Sequence, residues 1–139
     1  MSHLIVETRP QPLPLAFSDD SGDLVWFLSF AAVEQFGSQH ELSQAAMLLR
    51  HKRKLRLAPL LRFAAHDDDD PDELERVWQQ PAPLAEAAEA VAAALESGDR
   101  QLRDLTAGFP SLPPLLVELA AMARWSEAQN CQIRLLYEL

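Results

Sequence analysis

Apolar positions recur along this chain with two different periods. Near the N-terminus Leu4, Ile5 and Val6 form a short apolar cluster that ends at Arg9-Pro10, which predicts a strand over residues 3–8. Near the C-terminus Ile133, Leu135 and Tyr137 alternate with Arg134 and Glu138. That period of two predicts a closing strand, and Leu136 makes its second face partly apolar too.

The long middle of the chain follows the helical period. Residues 23–36 fit two descriptions. Leu24, Phe27, Leu28 and Ala31 fall on one helical face, with Gly37 placed to end a helix. Val25-Trp26-Phe27 carries β propensity, and the turn cluster Ser18–Asp23 could close a hairpin with an edge strand at Leu13–Phe17. The helical reading is preferred, and either way the segment, Trp26 included, is core material. Ser38 is placed to cap the next helix, with Glu41 at its third position. Leu42, Ala45, Ala46 and Leu49 form that helix's buried stripe. Arg53 and Arg56 continue the register, so the helix must end near His51 or project past the core.

Pro59 suits the first turn of a further helix, with Leu57, Leu60, Leu61, Ala64 and Ala65 as its apolar face. Asp70-Pro71-Asp72-Glu73 is a helix start: cap, first-turn proline, then acids. Gln80-Pro81-Ala82-Pro83 breaks the chain. Ala88, Val91 and Leu95 then share a face up to Gly98. Asp99 is placed to cap a short helix toward Gly108. Ser111, followed by Pro113 and Pro114, opens the longest helix, lined by Leu112, Leu115, Leu116, Leu119 and Met122. The expected fold class is α+β and predominantly helical. About six to seven helices would cover one face of a small sheet built from the N- and C-terminal segments, with an all-α arrangement as the alternative. The 139 residues suit a single globular domain, residues 80–83 marking the best internal break.

Charge changes this picture in one place. Arg50, Lys52, Arg53, Lys54, Arg56 and Arg62 are 6 of the 12 Lys and Arg. Directly after them Asp67, Asp68, Asp69, Asp70, Asp72, Glu73 and Glu75 supply 7 of the 21 Asp and Glu. The boundary near His66 is the candidate binding surface. Its two blocks could pair with each other, sit as solvated helix ends, or meet a partner. The net charge of −9 disfavours bulk nucleic acid and anionic membrane and slightly favours a basic partner.

Candidate chemistry adds little. The acidic run lacks the spacing and the glycine of a calcium loop, and consecutive aspartates diverge. The four histidines have no metal spacing, and one cysteine gives no zinc framework. The four glycines are isolated, so no phosphate-cradling loop exists, and no serine sits in a nucleophile elbow. No catalytic, cofactor or metal residue is therefore assigned. Cys131 fits a buried apolar role. A single cysteine and an N-terminus without signal-peptide features favour a reducing cytoplasm. The longest apolar run, Leu24–Val33, is too short to span a bilayer. Plentiful Arg, Ala, Leu and Pro beside only two Lys suggest a high-GC, bacterial source.

The resulting expectation is a non-enzymatic protein-interaction module, such as an inhibitor, immunity-type protein, chaperone or accessory subunit. It would bind through the charged surface around residues 50–75. The expected contacts are Arg50, Lys52, Arg53, Lys54, Arg56, Arg62, Asp67, Asp68, Asp69 and Trp78, Trp78 being the tryptophan least secure as core. The alternatives are a small nucleic-acid-associated subunit using residues 50–62, and an enzyme of unfamiliar type.

Overall fold

The computed structural model describes residues 2–139, Gln35 by its backbone alone. Strand β1 (His3–Arg9) is followed by helices α1 (Gly22–Ala32) and α2 (Glu41–Met47), then by β2 (Phe63–Ala65). Helices α3 (Pro71–Arg76), α4 (Pro81–Leu95), α5 (Arg100–Leu105) and α6 (Leu112–Ala128) lead to the last strand, β3 (Gln132–Glu138). The sheet order is β1-β3-β2. β1 pairs antiparallel with β3 from His3↔Glu138 to Arg9↔Gln132, and β2 pairs parallel with it from Phe63↔Leu135 to Ala65↔Tyr137. The fold is thus α+β, with six α-helices among the described residues packed on a three-stranded sheet centred on the C-terminal strand. No helix among the described residues is long and apolar enough to cross a membrane.

The period-two pattern of β3 sorts its side chains between two packed faces. Ile133 and Leu135 enter the main core with Leu4, the α1 residues Leu24, Phe27 and Leu28, and the inner faces of α4 and α6. Leu136 points the other way, where it is buried with Ala64 and Val77 and flanked by Ile5 and Leu74. The expectation that helices cover one face is therefore corrected: α3 seals the second face, because Leu136 and Ile5 would otherwise expose apolar surface.

α1 forms as the helical reading required but stops at Ala32, short of the expected end at residue 36, and Gly37, in the left-handed region at φ 85°, closes a separate 3-10 turn over Glu34–Phe36. Three other expectations fail. No strand forms at Leu13–Phe17, where Pro14 removes a ladder donor and Pro10 and Pro12 do the same in the stretch leading to it. The helix expected from Pro59 is instead a 3-10 turn over Ala58–Leu61, and Phe63–Ala65 then pairs with β3 as β2. Leu60 is still buried, so the apolar spacing was real but short. α2 begins later than Ser38 would place it. His40 is the cap, its Nδ1 accepting from Leu42 N–H at 3.1 Å. Ser38 instead bonds the buried Ser43 hydroxyl at 2.8 Å. Pro81 at the 80–83 break opens α4, with Gln80 in extended geometry before it. Ser111 precedes α6 without a side-chain cap, and its N–H donates to Asp23 Oδ2 at 3.2 Å. Cys131 is buried, and its N–H returns to Ser126 O at 2.9 Å to close α6.

Candidate functional site

The basic block takes its shape from how the α2 helix stops. The stripe Leu42, Ala45, Ala46 and Leu49 is buried. The chain then widens into a π turn over Leu48–Lys52, with Arg53 N–H bonded to Leu48 O at 3.1 Å. Lys54 adopts φ 58°, and Leu55 N–H returns to Leu49 O at 3.0 Å. A left-handed residue is a common helix stop, and glycine usually fills it because a Cβ is disfavoured there. The cations that would have followed the apolar stripe are thereby thrown outward.

Most of these cations have partners within the chain. Arg53 Nη2 reaches Asp99 Oδ2 at 3.1 Å and Ser97 Oγ at 2.9 Å. Lys52 lies 3.7 Å from the same carboxylate oxygen. The other oxygen, Asp99 Oδ1, accepts from Gln101 N–H at 3.0 Å and Leu102 N–H at 3.2 Å, which is the α5 cap expected from the sequence. The Leu102 N–H first and the Arg53 hydrogen bond after it hold the Asp99 carboxyl below the usual aspartate range against the opposing effect of burial, with a lesser contribution from the Lys52 charge. Arg50 pairs with Glu34 in the turn after α1. Arg62 donates Nε to Arg76 O at 3.1 Å. Lys54 and Arg56 are exposed and have no ion-pair partner among the described residues.

The acidic block is organised locally. Asp68 Oδ1 accepts from Asp70 N–H at 2.8 Å, and Asp70 Oδ1 from Asp72 N–H at 2.9 Å, capping α3. Glu73 pairs with Arg76, and Glu75 with Arg9 at 2.9 Å. The Arg9 hydrogen bond holds the Glu75 carboxyl below its usual range. Asp67 and Asp69 are exposed, with no hydrogen bond or ion pair among the described residues. The two blocks do not pair with each other: no ion pair among the described residues joins 50–62 to 67–75.

Trp78 is half-buried and belongs to the sealed second face of the sheet. Its ring lies between the guanidinium groups of Arg9 at 4.3 Å and Arg134 at 4.5 Å. Arg134 also pairs with Glu7 at 2.6 Å and donates to Leu74 O at 3.1 Å. These contacts fix α3 against β1 and β3. The exposed tryptophan is Trp26, at 49% exposure, which corrects its expected place in the core. It stacks on Phe30, and Phe30 on His40 with ring centroids 3.7 Å apart. The signal was present in the sequence: once Leu24, Phe27 and Leu28 face inward, Trp26 and Phe30 must share an outer stripe.

The unpaired cations border a groove of ≈ 590 Å³. One wall is the segment from Lys54 to Pro59 and the other is α4 through Pro83, Glu86, Ala87 and Ala90. Leu55, Pro59, Pro83 and Ala90 give it an apolar lining that is not fully buried. The α4 wall was not legible as part of a site, because its residues read only as a helix flank. Of the residues expected to meet a partner, the structure brings Arg50, Lys54 and Arg56 to this groove. It ties Lys52 and Arg53 to Asp99, sets Arg62 on the α3 end, and leaves Asp67, Asp68, Asp69 and Trp78 outside the groove lining. The comparisons with known proteins gave no match to a family model, a curated protein or a solved structure.

Proposed function

We propose that this chain is a non-enzymatic protein-interaction module, acting as an inhibitor, immunity-type protein, chaperone or accessory subunit in a bacterial cytoplasm. It docks its partner in the groove between residues 54–59 and α4. The 139 residues act as one domain in this reading. The observation that carries it is the pair of unpaired cations, Lys54 and Arg56, beside a part-exposed apolar surface. Apolar anchors supply affinity in such a site, and charges at its border supply orientation and selectivity.

Among the described residues the groove lining holds one carboxylate and no serine, cysteine or histidine, which favours docking over catalysis. Nucleic acid is the weaker alternative. With Arg50, Lys52 and Arg53 engaged by carboxylates and Arg62 by a carbonyl, two cations of the segment have no such partner among the described residues. Two phosphate contacts would give a salt slope of only about −2.

The test is capture from a native lysate with the wild-type chain, Arg56→Glu and Ala90→Glu, each checked for an unchanged thermal melt. A stoichiometric partner held by wild type and released by both variants supports the reading. A partner held equally by all three removes the groove from it, and the absence of any stoichiometric partner argues against an interaction module.

A further inference from the structure

We propose that the groove binds an acidic, amphipathic segment of the partner, with apolar side chains against Leu55, Pro59 and Ala90 and carboxylates facing Lys54 and Arg56. This rests on the docking reading above and specifies its ligand.

Charge complementarity carries the inference. The groove lining has three cations against one carboxylate, Glu86, in a chain whose net charge is −9. Arg50 is already matched by Glu34, whereas Lys54 and Arg56 are matched by nothing among the described residues. At about 0.1 M salt the Debye length is ~10 Å, so a ligand in the groove responds to these near charges more than to the distant acidic surface. A basic partner, which the net charge alone would favour, would meet two like charges here.

The backbone supports the same assignment. Lys54 sits at φ 58°, where glycine would stop the helix at lower cost. Its side chain has no ion-pair partner among the described residues that would offset this. A cation held in a disfavoured conformation beside an apolar groove fits a ligand contact better than a structural one. No aromatic ring among the described residues lines the groove, so a base-stacking ligand is disfavoured. A volume of ≈ 590 Å³ lies within the ~300–1,000 Å³ typical of small sites, enough for a few side chains of one segment.

The experiment uses the full chain, isotopically labelled, and three synthetic peptides of equal length. They share the same leucine positions and carry Glu, Gln or Lys at all the others. Amide shifts and binding anisotropy are read at about 0.1 M salt. The Glu peptide is expected to shift the amides of residues 54–58 and 84–90 and to bind at least about tenfold more tightly than the Gln peptide. Lys54→Gly with Arg56→Gln should abolish that preference while the melting temperature does not fall. Equal binding of the Glu and Gln peptides in the groove overturns the acidic assignment and leaves the docking reading standing. Tightest binding by the Lys peptide in the groove overturns it likewise. Shifts confined to other surfaces, or no shifts with any peptide, overturn the inference. In that case only the Ala90→Glu capture decides the docking reading.

Discussion

The Arg53 guanidinium lies 3.1 Å from Asp99, the residue that caps α5. This places the charge of the basic segment in a different light. A block of six cations beside seven acids suggests an electrical boundary. In the structure that boundary is mostly consumed by separate local ties, Arg53 and Lys52 to Asp99 and Arg50 to Glu34. What remains is a small cationic edge on a groove.

Asp99 has two duties, and substitutions separate them. Asp99→Asn keeps a cap acceptor and loses the ion pair, while Asp99→Ala loses both. Melting temperatures should fall in the order wild type, Asp99→Asn, Asp99→Ala. The folded carboxyl is held below its usual range, so its contribution is fully present above the unfolded value of ~3.9. It is lost as pH falls through the lower folded value. The gap between wild type and Asp99→Asn at neutral pH should narrow progressively as pH falls below that unfolded value in acid unfolding curves.

Lys54→Gly should stabilise the isolated chain by about 0.5–1 kcal/mol, the relief at a left-handed position less the flexibility of glycine. Lys54→Ala should bring no such gain, because the Cβ remains. Urea denaturation of both variants checks this.

The two tryptophans outside their expected places should respond unequally to truncation. Trp78→Ala removes a ring held between Arg9 and Arg134 and should cost about 2–3 kcal/mol, below the ~3–5 of a fully buried tryptophan. Trp26→Ala loses mainly its stacking on Phe30 and should cost about 1 kcal/mol. Paired denaturation curves decide it.

Leu136→Ala should destabilise by about 2–3 kcal/mol, because it opens the contact of Leu136 with Val77 and Ala64. Amide exchange should speed up in residues 71–78 before it does in α4 or α6. Uniform acceleration across all helices would show that α3 is not held by this face.

The elements legible in the sequence were those with local signals. Asp70 and Asp99 cap the helices they precede, and β3 follows its alternating pattern. Phe63–Ala65 was hidden because Leu57, Leu60, Leu61 and Ala64 match a helical period over a short span. Docking on the free edge of β3, more than seventy residues later in sequence, decides its conformation. The site was half legible for the same reason. The cations are plain in the sequence, but Asp99 lies 46 residues from Arg53, and Glu34 lies 16 from Arg50. Only folding shows which charges are spent and which are left. The α4 wall of the groove has no sequence signature, since a partly exposed Ala90 looks like any helix flank.

The central claim is that the partner docks in the groove beside Lys54 and Arg56. Its most direct test is site-specific photocrosslinking in the native host, with a benzophenone side chain placed in turn at positions 90, 69 and 26. The account predicts a discrete adduct from position 90 that disappears when Arg56→Glu is added, with little from the other two. Adducts from position 69 or 26 and none from position 90 would contradict it.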